Sequence, residues 1–238
     1  MTPLVTIVTP TTGNPFLRDA VFSVEKQNYP TIQHLVVIDG KEHENKAVKM
    51  LQGSKADIIT LPYATGANNF LGHRIYGAAT YLAKGDYLCF LDEDNWYDDN
   101  HVASLAETLQ RGATWAYSLR KIVDPAGNYL CNDDCNSLGK WPSFLNDHLV
   151  DTGCFMLPKR IALRFSPGWY RRADVPGRPA SDRYLTNVLL QTLGANKVET
   201  SGLYTLNYRL GSRPTSVPAK FFITGNERMR QKLNGEFP

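Results

Sequence analysis

Apolar residues fall in short runs, each closed by a polar or glycine-marked stretch. Leu4 to Pro10 is a β-branched run closing on Pro10-Thr11-Thr12-Gly13, and it predicts a first strand. Phe16, Leu17, Ala20, Val21 and Val24 then recur at three- and four-residue steps, a helical stripe with Asn14 as its expected N-cap ahead of Pro15. His34 to Asp39 and Ala56 to Leu61 predict two more strands. Asn68 to Lys84 predicts a helix ended by Gly85, Tyr87 to Leu91 a fourth strand running into Asp92-Glu93-Asp94, and Asp98 to Arg111 a helix closed by Gly112.

The second half is less regular. Trp115 to Val123, Val150 to Leu157 and Val198 to Tyr208 predict strands, and Pro158 opens a short helix. Asp182 to Leu193 predicts a helix between Ser181 as N-cap and Gly194, and Phe221 to Leu233 a basic C-terminal helix. Ser166 to Ala180 holds three prolines, two glycines and three arginines beside Trp169 and Tyr170, and is too punctuated for an ordinary connection. Long segments of that kind serve as lids or binding loops.

Continuous apolar strands alternating with helices predict an α/β fold, a mostly parallel sheet flanked by helices on both faces. Such sheets bind ligands at the carboxyl ends of their strands. Three predicted strands end there in polar residues: Pro10-Thr11-Thr12, Asp39, and Asp92-Glu93-Asp94.

The chain has 238 residues, enough for one large domain, which is the expected organisation. A net charge of +3 is too mild to suggest a nucleic-acid partner. No apolar run approaches the length of a membrane span, and Met1-Thr2-Pro3 lacks the pattern of a signal peptide. Cys89, Cys131, Cys135 and Cys154 show no C-x-x-C spacing, so reduced thiols and a cytoplasmic setting are expected. Asp133 and Asp134 between Cys131 and Cys135 leave a metal loop as a lesser alternative.

Asp92 and Asp94 stand one residue apart at a strand end, a D-x-D pattern. In extended backbone alternate side chains share a face, and two converging carboxylates repel unless a cation joins them. A hard divalent cation, Mn²⁺ or Mg²⁺, resolves that repulsion, with phosphate oxygens completing its shell. The dinucleotide and P-loop glycine patterns are both missing. An aspartyl-phosphate phosphatase would place D-x-D after the first strand and follow it with Gly-Thr, whereas Asn95-Trp96 follows here.

Val5 to Thr12, the helix with Ser23 and Gln27, and the strand ending at Asp39 resemble the opening of family 2 glycosyltransferases with the GT-A fold. Gly72-His73-Arg74 with Gly77 is similar to the family's arginine-bearing helix, with Ile75 where an asparagine is common. Gly85 to Asp94 resembles its nucleotide-and-metal segment. The likeness is strong over residues 4 to about 105 and looser to about 215.

The resemblance implies a Rossmann-like GT-A sheet, residues 1–112 forming the nucleotide-sugar and metal half and 113–238 the acceptor side. It implies an inverting, metal-dependent enzyme of the hexosyltransferase type. A nucleotide sugar, expected to be a UDP-sugar, would donate to a saccharide, a lipid-linked molecule or another hydroxyl acceptor. Pro10, Thr11, Thr12, Asp39, Arg74, Asp92 and Glu93 would bind the nucleotide sugar, and Asp92 and Asp94 the divalent cation. Asp182 would be the catalytic base, where the family tends to carry Glu-Asp and this chain has Ser181-Asp182; Asp151 is the other candidate. Tyr208-Arg209 and Ser212-Arg213 resemble late family positions, with Arg209 or Arg213 reaching the diphosphate or forming a surface loop. His101 and His148 are the candidates for an extra metal ligand. Two other classes stay open: a sugar-nucleotide nucleotidyltransferase and a non-catalytic nucleotide-sugar-binding protein.

Overall fold

The computed structural model describes residues 1–172, 179–212 and 216–234. Its strands are β1 (Val5–Thr11), β2 (Ile32–Ile38), β3 (Asp57–Thr60), β4 (Tyr87–Phe90), β5 (Trp96–Tyr97), β6 (Trp115–Val123), β7 (Tyr129–Asn132), β8 (Phe155–Pro158) and β9 (Val198–Arg209). Its helices are α1 (Leu17–Glu25), α2 (Glu44–Leu51), α3 (His73–Leu82), α4 (His101–Gln110), α5 (Lys159–Phe165), α6 (Ser181–Leu193) and α7 (Ala219–Lys232).

All the strands join one sheet in the order β3-β2-β1-β4-β8-β6-β9-β5, with β7 paired to β6. The β3-β2-β1-β4 half is parallel throughout, as the apolar runs predict. The other half is mixed: β8 runs antiparallel to both β4 and β6, while β6 and β9 are parallel. Every residue of β1 is buried, which is why its sequence shows no alternation. One apolar core spans both halves of the sheet, and Trp169 packs into it against Phe90 and Tyr76 at ring distances of 5.0 and 5.3 Å.

The crevice that matters opens where β1 outruns β4. Along β1, pairing with β2 continues to Thr11, but pairing with β4 stops at Val8. The Leu91 amide donates to the Val8 carbonyl on one side, and the Asp39 amide to the Thr11 carbonyl on the other. By alternation Pro10 faces the side where β4 has already ended, so its missing N–H leaves no gap in the ladder. The chain then leaves β4 as Asp92-Glu93-Asp94. Because β2 and β4 flank β1 on opposite sides, this is a topological switch point.

Several boundaries differ from expectation. Helix α3 begins at His73 rather than Asn68, because Asn68, Asn69 and Leu71 take positive φ of 57°, 61° and 54°. The Asn14 side chain accepts from the Phe16 amide in a turn ahead of α1, which starts at Leu17. Helix α4 starts at His101, and Gln27 reaches across from the turn after α1 to accept the Val102 amide. Ser181 is the first residue of α6, and its hydroxyl donates to the Trp169 carbonyl. Residues 150–154 form a turn with a short 3₁₀ segment ahead of β8. The expected loop from Ser166 starts with a 3₁₀ turn, Ser166–Trp169, that plants Trp169 in the core; residues 173–178 of that loop lie outside the described residues. No helix among the described residues is long and apolar enough to cross a membrane.

Candidate functional site

Two adjoining cavities occupy the crevice and share Leu71, Gly72 and Asp92. The larger, about 540 Å³, is lined by Pro10, Thr11, Thr12, Asp39, Asp92 and Glu93 among others. The smaller, about 220 Å³, is lined by Asp92, Asp94, Asn95, Asp151, Asp182, Tyr208 and Arg209 among others. Gly72 is the close-approach point between them: a Cβ there would lie 2.5 Å from Pro10 Cγ. Six of the seven residues expected at the nucleotide thus border the larger cavity, and Asp92, Asp94 and Asp182 meet on the smaller one.

Arg74 is the exception. Its guanidinium lies 3.3 Å above the Phe70 ring and 4.6 Å from the Tyr170 ring, and it donates to the Thr65 carbonyl. It lines a third cavity with Gly77 and Trp169, away from the crevice. Its influence passes through Thr65, whose amide and hydroxyl both donate to Asp39 at 2.6 and 2.8 Å. The Gly66 amide fills the other Asp39 oxygen. Asp39 therefore shapes the wall of the larger cavity while its carboxylate is held by the 65–66 turn.

The acidic segment is held at several points. The Tyr76 hydroxyl, buried beneath Trp169, donates to Asp92 Oδ1 at 2.6 Å. Burial first, and the Asp92 charge second, push the Tyr76 phenol well above its ordinary range, so it stays a donor. Glu93 turns back to the loop after β1 and accepts from Thr11, Thr12 and Asn14. Arg209 holds the Asp94 carbonyl through Nε, while its other nitrogens bond the Pro125 carbonyl and Asp19. Its guanidinium lies between Phe16 and Trp96, at 3.9 and 4.6 Å from the ring centres. Arg209 is thus a buried clasp rather than part of a basic surface loop. Arg213 lies outside the described residues.

The two candidate bases differ in their surroundings. Asp182, partly exposed in the first turn of α6, accepts among the described residues the Arg183 amide next to it, at 2.7 Å. Asp151 is buried and ion-paired with Arg120, and its second oxygen accepts the Gly153 amide. Arg120 also pairs with Asp133 at 2.7 Å and lies 4.4 Å from the Tyr208 ring. Burial raises the Asp151 pKa, Arg120 opposes that, and Asp182 nearby adds to it. Asp151 is built into the wall; Asp182 lines the same cavity with no ion pair among the described residues.

Asp92 and Asp94 offer hard oxygen donors on one cavity, which suits Mn²⁺ or Mg²⁺. Among the described residues no three His, Cys, Asp or Glu side chains form a metal group by themselves. A cation there would draw the rest of its shell from phosphate and water. His101 is not available to it: the ring is buried, stacked on Tyr97 at 3.6 Å, and bonded to Thr205. His148 bonds the Gly139 carbonyl. The Cys131–Cys135 loop is not a metal loop either, since Asp133 is spent on Arg120 and on the amides of Cys135, Asn136 and Ser137. All four cysteines are free. Tyr76 carries no mark in the sequence, because an apolar helical stripe gives no sign of which member has a polar task, and His73, which borders the smaller cavity, is singled out there only as a neighbour of Arg74.

This fold and crevice have counterparts among known proteins. The family model described as "Glycosyl transferase family 2" matches residues 6–164. An uncharacterized glycosyltransferase of Rickettsia bellii (strain RML369-C) is 30% identical over 135 residues, 54% of this chain and 19% of that protein. The chain therefore spans about a fifth of that relative's length. S. aureus TarS 1-349 in complex with UDP-GlcNAc superposes with a TM-score of 0.64 at 15% identity, over 98% of this chain and 66% of that one. The same protein in complex with UDP gives 0.62 at 14% identity, over 87% and 60%. The mannosyltransferase PcManGT from Pyrobaculum calidifontis, in complex with GDP-Man and Mn²⁺, gives 0.61 at 13% identity, over 98% and 62%. At such identities the likeness is one of fold, and the fold is GT-A.

Proposed function

The chain belongs to glycosyl transferase family 2, and from that premise we propose that it is a glycosyltransferase of the hexosyltransferase type. It moves a sugar from a nucleotide-diphosphate donor, a UDP-sugar, to an acceptor hydroxyl with inversion. The observation that carries this reading is the meeting of Asp92, Asp94 and Asp182 on one cavity, beside a second cavity walled by the end of β1. The ligands named for the solved relatives are UDP, UDP-GlcNAc and GDP-Man, with Mn²⁺ beside the last, which supports the donor class.

In this reading residues 1–112 carry the donor and 113–238 the acceptor side. The nucleoside enters the larger cavity against Pro10, Thr11, Thr12 and the wall shaped by Asp39. Asp92 and Asp94 hold the divalent cation, which when bound supplies positive charge to the leaving diphosphate. Asp182 takes the proton of the acceptor hydroxyl as its oxygen attacks the anomeric carbon. The new carbon–oxygen bond forms opposite the breaking bond to the diphosphate, so the configuration inverts, and the bonding pair leaves with the diphosphate.

The nucleotidyltransferase alternative needs a loop after β1 that is open to phosphates. Here the amides of that loop are occupied by Glu93, which disfavours it. A non-catalytic binder is separated by assay. A thermal-shift screen of nucleotide sugars, with and without Mn²⁺, comes first. Ligand at about a hundred times its Kd adds about 2.7 kcal/mol, or several degrees for a chain of this size. We expect a Mn²⁺-dependent shift with one donor, and release of its sugar to water or acceptor. Binding without any turnover supports the binder, and no shift with any donor refutes the proposal.

A further inference from the structure

Glu93 stands between the two aspartates, yet its carboxylate points into the β1–α1 turn. Oε2 accepts the Thr12 amide at 3.1 Å, the Asn14 amide at 2.9 Å and the buried Thr11 hydroxyl, while Oε1 accepts the Thr12 hydroxyl at 3.0 Å. Gly13 between those amides has φ of +77°, and the turn it allows brings the Thr12 and Asn14 N–H groups onto one oxygen, as in an anion-binding concavity. Among the described residues no basic side chain pairs with Glu93, whose side chain is nearly excluded from solvent. Two amides and two hydroxyls therefore carry the charge, the donor set that a phosphate would meet at such a turn.

We propose that Glu93 is a positioning residue. It fills the anion-binding turn from within the chain and locks that turn to the Asp92–Asp94 segment. Resting on the function proposed above, this has two consequences. The donor's phosphates are denied the β1 turn and must be met at Asp92 and Asp94. The nucleoside wall formed by Pro10, Thr11 and Thr12 and the metal carboxylates keep one fixed relation. Glu93 is expected to touch neither the nucleotide nor the metal.

Glu93→Gln keeps the shape but sets an NH₂ group against donors, and Glu93→Ala empties the turn. Amide hydrogen exchange on the full chain reads the lock without any nucleotide. Thr12 and Asn14 should exchange about ten- to a hundredfold faster in both variants, the scale of losing charge-assisted hydrogen bonds. Thr12→Ala, at an exposed side chain, secures the test if the Glu93 variants fold poorly, and should speed Asn14 exchange by a smaller factor. Sodium acetate, against chloride at equal ionic strength, should restore protection and thermal stability to Glu93→Ala and leave wild type unchanged. With the donor identified by the screen, Glu93→Gln should raise KM about tenfold or more and change kcat by less than about threefold.

Unchanged exchange in Glu93→Gln, or in Thr12→Ala where only that variant folds, overturns the lock. So does loss of UDP affinity in Glu93→Ala with protection intact, since Glu93 would then contact the nucleotide itself. If wild type binds no nucleotide, the proposed function fails, while the exchange and acetate measurements still decide the role of Glu93.

Discussion

Asp182→Asn and Asp151→Asn are expected to separate chemistry from stability. Asp182 is partly exposed and its hydrogen bond among the described residues comes from the adjacent Arg183 amide, which an asparagine oxygen also accepts. What is lost is a negative charge at a helix N-terminus, worth about 0.3–1 kcal/mol. Turnover should fall about 10²-fold or more, because the acceptor proton has nowhere to go in the transition state. That corresponds to about 2.7 kcal/mol or more on the barrier. Asp151→Asn acts through Arg120, which is itself buried and would keep Asp133 as its partner. Breaking one side of a buried pair costs about 3–5 kcal/mol. The lower end applies, because Arg120 keeps its ion pair with Asp133 and is not left as an uncompensated buried charge. Urea unfolding followed by tryptophan fluorescence gives the stabilities, and initial rates at saturating donor give kcat. The reasoning fails if Asp182→Asn turns over within about threefold of wild type, or if Asp151→Asn unfolds at the same urea concentration as wild type.

Two further outcomes follow from single groups. Burial lowers His34 from its ordinary value of 6.5 to about 4 and His101 to about 3, so both stay neutral in the folded chain while the unfolded chain takes up protons. Folded values below the unfolded ones mean that stability is fully present above pH 6.5 and drains away below it, by about 2 kcal/mol per histidine at pH 5; His34→Gln should remove about half of that pH dependence in urea titrations. Asp94→Ala should abolish the Mn²⁺-dependent part of UDP binding in calorimetry while unfolding like wild type, and equal UDP affinity with and without Mn²⁺ in wild type would refute the metal role.

The strand ends are legible because buried parallel strands leave continuous apolar runs, and the runs of β1, β2 and β4 each give way to polar residues that need hydrogen-bond partners. The amino-acid sequence alone therefore brings Thr11, Asp39 and Asp92 to one edge of the sheet. Helix α2 escapes the pattern because only Ala47 and Leu51 of its eight residues are buried, too faint a stripe to stand out. The two-residue β5 exists only through its pairing with β9, a partner more than a hundred residues away. Trp169 reads as a loop aromatic because its segment is rich in proline and glycine, yet its ring fills a gap against Phe90 that local sequence does not reveal. Arg74 is the clearest limit. A motif position says that a side chain leaves α3 near the crevice, but Phe70, just ahead of that helix, and Tyr170, in the loop after α5, hold its guanidinium beside the Thr65 carbonyl.

The charge balance of the smaller cavity bears on metal dependence. Four carboxylates line it, those of Asp92, Asp94, Asp151 and Asp182. Arg120 offsets Asp151, but it also faces Asp133, so it has no positive charge left over for the cavity. Arg209 is the only lysine or arginine among the described residues that line it, and its nitrogens are already committed to Asp19, the Pro125 carbonyl and the Asp94 carbonyl. Glu93 takes up the loop amides that a phosphate would otherwise use. A diphosphate brought alone against Asp92 and Asp94 would meet like charge, at about 4 kcal/mol for each pair 4 Å apart at an effective dielectric of about 20. A divalent cation arriving with the donor reverses the sign of that interaction. The acidity of the cavity would thereby select the metal complex of a nucleotide sugar over the free anion.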